Sequence, residues 1–320
     1  MKKGYLNLIG LAIGWLLVFG FFALRAPETF PTLSNLETIL RQTTIVAFAA
    51  IGMTYIIISG AIDLSVGSMV ALVTVVIAWF LERHVPALGA AALGVSVGFL
   101  CGAMNGFLVS RLKVNSFIVT LGGFLLFRGI AKGLADNQKI DAPMTWLADV
   151  LASLGPNEKW KVVPPGVWLV IIAAIAAALL LSRSVFGRNV LAVGGNEEAA
   201  RLSGIRVDKT RIWVFALSGF FVGLAGLMQF SRLTVGDPTV AVGLELDVIA
   251  AVVIGGASLN GGEGSIAGSL LGALIMSTIR AGCSQIGLDN WVQEIVTGVI
   301  IVAAVALDRW RLARLQTRTA

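Results

Sequence analysis

Ten stretches of this chain are apolar over nearly the length of a membrane crossing: residues 6–24, 42–60, 64–81, 86–110, 115–131, 162–182, 211–231, 246–260, 265–281 and 291–307. A spanning helix needs about 20 mainly apolar residues, because it rises 1.5 Å per residue through a hydrocarbon layer about 30 Å thick. Only 13% of the residues are charged. A soluble domain carries roughly 25%, so these stretches are not the core helices of a water-soluble protein. Lipid offers no hydrogen bonds, so every backbone N–H and C=O must be satisfied internally. The fold class that follows is all-α: one polytopic transmembrane helical bundle over residues 1–320, with about ten helices. Two stretches are weak. In 115–131 the uncharged part ends at Arg128, and 246–260 is short and closes on glycines. Both are read as broken or re-entrant helices.

The chain begins Met-Lys-Lys before its first apolar run, Leu6–Leu24, and no small-x-small pattern follows Pro27. It is read as a retained span rather than a signal peptide. With the N-terminus inside, ten crossings also put the C-terminus inside. Lys2, Lys3, Arg111, Lys113, Arg183, Arg188, Arg201, Arg206, Lys209, Arg211, Arg309, Arg311, Arg314 and Arg318 then share the cytoplasmic side. Arg25, Arg41, Arg83, Arg232 and Arg280 fall in short outer loops, and the long 128–161 segment, read as periplasmic, carries little weight in this count. The net charge of +6 thus reflects the positive-inside bias, with no nucleic-acid partner implied.

One hydrophilic insert, Phe186–Arg211, interrupts the apolar pattern. Asn196 suits an N-cap, Glu197 and Glu198 place negative charge on a first turn, and Gly204 can adopt the left-handed stop. The predicted helix runs from about Glu197 to Ser203. An isolated helix needs about 12–15 residues to be even marginal in water, so this one must dock on neighbouring structure. Ala199, Ala200, Leu202 and Ile205 offer it a small apolar face. It either meets a partner protein or lies on the lipid headgroups.

Met53–Val76 and Leu246–Met276 share a pattern: apolar helix, Gly/Ser turn with one carboxylate, apolar helix. Such internal symmetry is common in transporters, whose paths lie between repeats. Ser59, Gly60, Asp63, Ser65, Gly67, Gly255, Gly256, Asn260 and Glu263 are the gate candidates. Asp63 can instead simply cap a helix starting at Leu64. Polar residues in or beside spans are candidates for a solute path: Thr54, Asn105, Asn115, Ser116, Thr120, Gln229 and Gln293. Asp63, Arg128, Glu263 and Glu294 fall toward span ends or turns, so the path is read as neutral, which disfavours a gradient-driven carrier. No Gly-Lys pair occurs, so the phosphate-binding loop GxxxxGK[ST] is absent. Cys101 and Cys283 imply no disulfide framework, and the lone His84 lacks companions for catalysis or metal binding. Catalytic, metal and cofactor sites are not expected on this chain.

Four stretches carry a family resemblance: GMTYIIISGAIDLSVGSMVAL, RLKVNSFIVTLGGFLLFRGI, FGRNVLAVGGNEEAARLSGIRV and GLELDVIAAVVIGGASLNGGEGSIAGSLLGALI. In that order they resemble the permease subunits of bacterial sugar ABC importers, the ribose, xylose, arabinose and galactose group. The resemblance implies an inner-membrane permease, homodimeric or paired with a close paralogue, set among membrane lipid. Its implied partners are a cytoplasmic ATPase subunit, which holds ATP and Mg, and a periplasmic sugar-binding protein. It implies that Gly194, Gly195, Asn196, Ala199, Ala200, Gly204 and Ile205 form the ATPase-coupling element, with Glu197, Glu198 and Arg201 as polar contacts. Ala61 stands where many relatives have glycine. Asn260 and Glu263 occupy variable positions that bear on which sugar passes. The implied activity is import of a monosaccharide or similar uncharged polyol by alternating access; the rival reading is a gradient-driven carrier or channel.

Overall fold

The computed structural model describes residues 2–155, 158 and 161–316, with the side chains of 2–6, 304 and 307–316 left aside. Of the residues in the orientation count, Arg318 and the side chains of Lys2, Lys3, Arg309, Arg311 and Arg314 lie outside the described set. The helices among the described residues are α1 (Lys2–Arg25), α2 (Leu33–Ile58), α3 (Val66–Glu82), α4 (Ala87–Leu112), α5 (Ser116–Leu134) and α6 (Pro165–Arg183). They continue as α7 (Val185–Gly195), α8 (Glu197–Leu202), α9 (Val207–Leu233), α10 (Leu244–Ile254), α11 (Ile266–Gln285) and α12 (Asn290–Gln316). Two short strands, β1 (Ile140–Asp141) and β2 (Val235–Gly236), pair antiparallel and fasten the long α5–α6 connection to the α9–α10 link. The all-α polytopic bundle read from the sequence is the fold observed.

Seven of these helices are long and apolar enough to cross a membrane, namely α1, α2, α4, α5, α6, α9 and α11; α3 and the apolar part of α12 are shorter. The two weak stretches separate. The 115–131 stretch is no broken helix, for α5 has 19 residues and continues past Arg128 to Leu134. It tolerates that charge because Arg128 Nη1 donates to the carbonyls of Pro238 and Val240, at 2.8 and 2.7 Å. By contrast α10 has only 11 residues, about 16 Å of helix, roughly half the hydrocarbon layer. Gly255–Ser265 finish that pass as irregular backbone, with Gly255, Ala257 and Ser258 buried and Gly256, Asn260, Glu263 and Ser265 exposed.

At the centre stands α2, nearly all of whose residues from Thr44 to Ile58 are buried. Packed around it are α9, α11, α10 and α6. Gly98 and Gly102 on α4 meet Gly219 and Gly223 of α9, and Gly106 meets Ile212 and Phe215, a four-residue spacing of small residues that lets two backbones approach closely. Outside, α1, α5 and α6 expose Leu16, Leu17, Leu125, Ile172 and Ile175, as lipid-facing surfaces do. At 27 residues, α9 is about 40 Å long and runs from the end of the bundle holding α7 and α8 to the opposite, far end.

Candidate functional site

Local chemistry builds the hydrophilic insert. Asn196 Oδ1 accepts from Ala199 N at 2.9 Å, and Gly204, at φ +83°, ends α8 while Ile205 N bonds back to Ala200 O at 3.1 Å. The helix starts where the sequence predicts and ends one residue earlier. The insert also contains α7, which the sequence reading did not foresee; Ser184 caps it by accepting from Gly187 N. Ala200 does not join a docking face. It is buried with Val193 and Val207, while Leu202 is 85% exposed. Glu198, Ala199, Arg201 and Ser203 share that exposure, so the outward surface of α8 is mostly polar around one leucine.

Glu197 turns back rather than outward. Its carboxylate accepts from Arg211 Nη2 at 2.8 Å and from Arg201 Nη2 at 2.9 Å, tying α8 to α9. The Arg211 hydrogen bond foremost holds the Glu197 carboxyl below the usual glutamate range. A depressed folded pKa adds stability above the unfolded value and loses it as pH falls through the folded one. The half-exposed pair contributes only about 0.2–1 kcal/mol. Spin labels replacing Glu198 and Lys209 should therefore keep their separation from about pH 8 to pH 5, and spread only on further acidification.

Behind α8, three glycine turns meet. A Cβ on Gly194 would lie 1.7 Å from Ile58 O and 2.8 Å from Gly262 N. Ile58 O itself accepts from Gly262 N at 2.8 Å. Gly261 (φ +85°) sits against Gly60 (φ +77°), its virtual Cβ 3.0 Å from Gly60 Cα. The turns of both sequence hairpins therefore touch each other and the end of α7. Asn260 and Glu263 are exposed on this junction. Gly255 packs against Gly268 O, Gly256 (φ +90°) faces open space, and Gly67 abuts Ala241 O.

The α2–α3 break, residues 59–65, is held by side chains from α4 and α5. Ser116 Oγ accepts from Ile62 N at 3.1 Å and Thr120 Oγ1 from Leu64 N at 3.1 Å. Asn105 Nδ2 donates to Ser65 Oγ at 2.9 Å. Asp63 does not cap a helix from Leu64: α3 starts at Val66, and Asp63 Oδ1 accepts from Ser65 N and Ser65 Oγ. Ser59 Oγ bonds its own helix at Ile56 O, and Thr54 Oγ1 links α2 to Ser269 of α11 at 2.7 Å. Asn115 caps α5 and, with Ser116, lines a cavity of about 490 Å³ beneath α8, walled also by Glu197, Asp208 and Arg211.

Of the path candidates, only Gln229 and Gln293 come together away from that end. At the far end they line a cavity of about 300 Å³ with Gln42, Arg232, Asp247, Ser277 and Arg280. Asp247, 3% exposed, pairs with Arg280 across α10 and α11. A neutral interior is thus not what the chain builds: Asp63, Arg128, Glu245 and Asp247 are all buried. The available signal was Glu245 and Asp247 opening an apolar run, with Arg280 closing the next.

A bundle of membrane-crossing helices with a hydrophilic, capped insert at one end and a polar cavity at the other defines a membrane permease. Residues 35–305 match the family described as branched-chain amino acid transport system / permease component, and the chain belongs to that family. It is a multi-pass transport component, not an enzyme. It is 40% identical to the ribose import permease protein of Escherichia coli K12 over 92% of each chain. It is 37% identical to the L-arabinose ABC transporter permease of Azospirillum brasilense, covering 96% of this chain and 88% of that one. With the xylose transport system permease of Haemophilus influenzae it shares 34% identity over 95% of each chain. No solved structure matches it.

Proposed function

We propose that this chain is the permease subunit of an ATP-driven importer that moves a monosaccharide from periplasm to cytoplasm by alternating access. The named activities of its relatives, on ribose, arabinose and xylose, support the substrate class. The observation that carries the mechanism is α8, six residues long, capped at both ends, exposing Leu202 and backed by the junction of Ile58, Gly194 and Gly262. In this reading a cytoplasmic ATPase subunit, holding ATP and Mg, docks on α8. Its motion enters the membrane at the α2–α3 and α10–α11 turns. A sugar-binding protein delivers at the far end, and a second permease copy completes the path. The basic insert faces the cytoplasm together with both termini in this reading, which the positive-inside bias supports.

Leu202 supplies the test, because it makes little contact within the chain. Leu202→Asp should leave the amount of permease in the membrane unchanged, yet release the ATPase on purification and reduce uptake by about tenfold or more, as loss of a central interface anchor does. Normal uptake with the ATPase still bound would overturn the docking assignment. Sugar uptake into vesicles holding this chain without any ATPase would support the gradient-driven carrier instead. For orientation, a cysteine at position 202 should react with an impermeant thiol reagent in inside-out vesicles and not in right-side-out ones.

A further inference from the structure

Asp247 and Ser277 both line the far-end cavity, are each more than nine-tenths buried, and each keep one covered side-chain oxygen without a partner among the described residues. Asp247 Oδ2 is taken by Arg280, while Asp247 Oδ1 and Ser277 Oγ have no hydrogen-bond partner among the described residues. A buried acceptor without a partner is costly, and chains seldom leave one except where another molecule completes it. The two residues sit on neighbouring helices and line the cavity together with Gln229 and Gln293.

We propose that this cavity is a binding station for a single monosaccharide, with Asp247, Ser277 and Arg280 as the residues that select its hydroxyls. The assignment rests on the reading of the chain as a monosaccharide permease. An ionised carboxylate only accepts, a guanidinium only donates, and a carboxamide does both. Vicinal hydroxyls, each a donor and an acceptor, match that set. Because Asp247 and Arg280 neutralise each other, the pair presents hydrogen bonds without requiring a charged ligand. Ile45 and Met276 supply an apolar wall for the C–H face of a sugar ring. At about 300 Å³ the space is at the small end of the range for small-molecule sites, roughly 300–1,000 Å³, which suits one ring and not two. The α9–α10 link closes one side, pinned by Arg128 to the carbonyls of Pro238 and Val240.

The test uses the complete importer, with Cys101 and Cys283 replaced by alanine and Val242→Cys as a reporter on the cavity wall. Labelling by a small methanethiosulfonate is followed as D-ribose, D-xylose or L-arabinose is added, and uptake of each sugar is measured in the same preparation. A transported sugar should slow labelling, and leucine should not. Asp247→Asn should raise the protecting concentration by about tenfold, the loss of one hydrogen bond to a charged group, and Ser277→Ala should raise it by a few fold. If Asp247→Asn fails to assemble, Ser277→Ala decides. A sugar that is transported without protecting position 242, or protection unchanged in both variants, overturns the station while leaving the permease reading intact. An importer that moves leucine and none of the sugars overturns both.

Discussion

Gly194→Ala is expected to remove most folded permease and all sugar uptake, while Gly195→Ala one residue on leaves the fold intact. The added methyl at 194 would stand 1.7 Å from a backbone carbonyl oxygen, whereas nothing lies within 4 Å of one at 195. A side-chain neighbour can change rotamer; Ile58 O cannot, because it ends α2 and already holds Gly262 N. Relief requires separating α7 from the two turns, which sacrifices that hydrogen bond as well as the packing. Overpacking costs about 1–3 kcal/mol and a lost buried hydrogen bond about 1 kcal/mol more, so a total near 3 kcal/mol is expected. Thermal unfolding in detergent, with membrane abundance measured alongside uptake, checks it. Equal melting temperatures for Gly194→Ala and the parent protein would show that the three turns do not meet this closely.

The second large effect is expected between α4 and α9. A Cβ at Gly102 would lie 2.2 Å from Phe215 O and 2.8 Å from Gly219 Cα, both backbone atoms. Valine at 102 therefore cannot be accommodated by one side chain moving aside. The helices must part along the whole seam from Gly98 to Gly106. Global stability is about 5–15 kcal/mol and single changes above about 4 kcal/mol are exceptional; Gly102→Val belongs in that exceptional group. Gly122→Val, on α5 with nothing within 4 Å of its Cβ, is the matched control. Size-exclusion profiles of the two variants should differ completely: aggregate for the first, a sharp peak for the second. Comparable peaks would refute the close crossing.

What could be read from the sequence was what depends on neighbours along the chain. The start of α8 was legible because a cap needs only Asn196 and the amides just after it, and its end because Gly204 alone supplies a left-handed stop. The apolar crossings were legible because lipid enforces them residue by residue. Missed or misjudged were features that depend on distant residues. The full length of α5 depends on carbonyls at 238 and 240 that receive Arg128. Ile58, Gly194 and Gly262 share no local signature, so the meeting of two hairpins and the insert appears only in three dimensions. Asp247 and Arg280 sit on separate helices, and neither residue alone says that they close on each other. Thr54, Ser116 and Thr120 looked like solute contacts and instead bond other parts of the chain, the usual fate of hydroxyls in membrane helices.

Gly219 lies almost at the midpoint of α9, and it is there that α9 rests on Gly102 without intervening side chains. One extremity of this helix holds Arg211, bonded to Glu197; the other carries Gln229 and Arg232 into the far-end cavity. A rod whose closest approach to its neighbour lies at its middle can tilt about that point as a first-class lever. With arms of about 20 Å, from 1.5 Å of rise per residue, a tilt of about 5° shifts the extremities by about 2 Å in opposite directions. In an importer of the proposed kind, pulling on one face of the membrane would then reshape the opposite face in the reverse sense, through one unbroken helix.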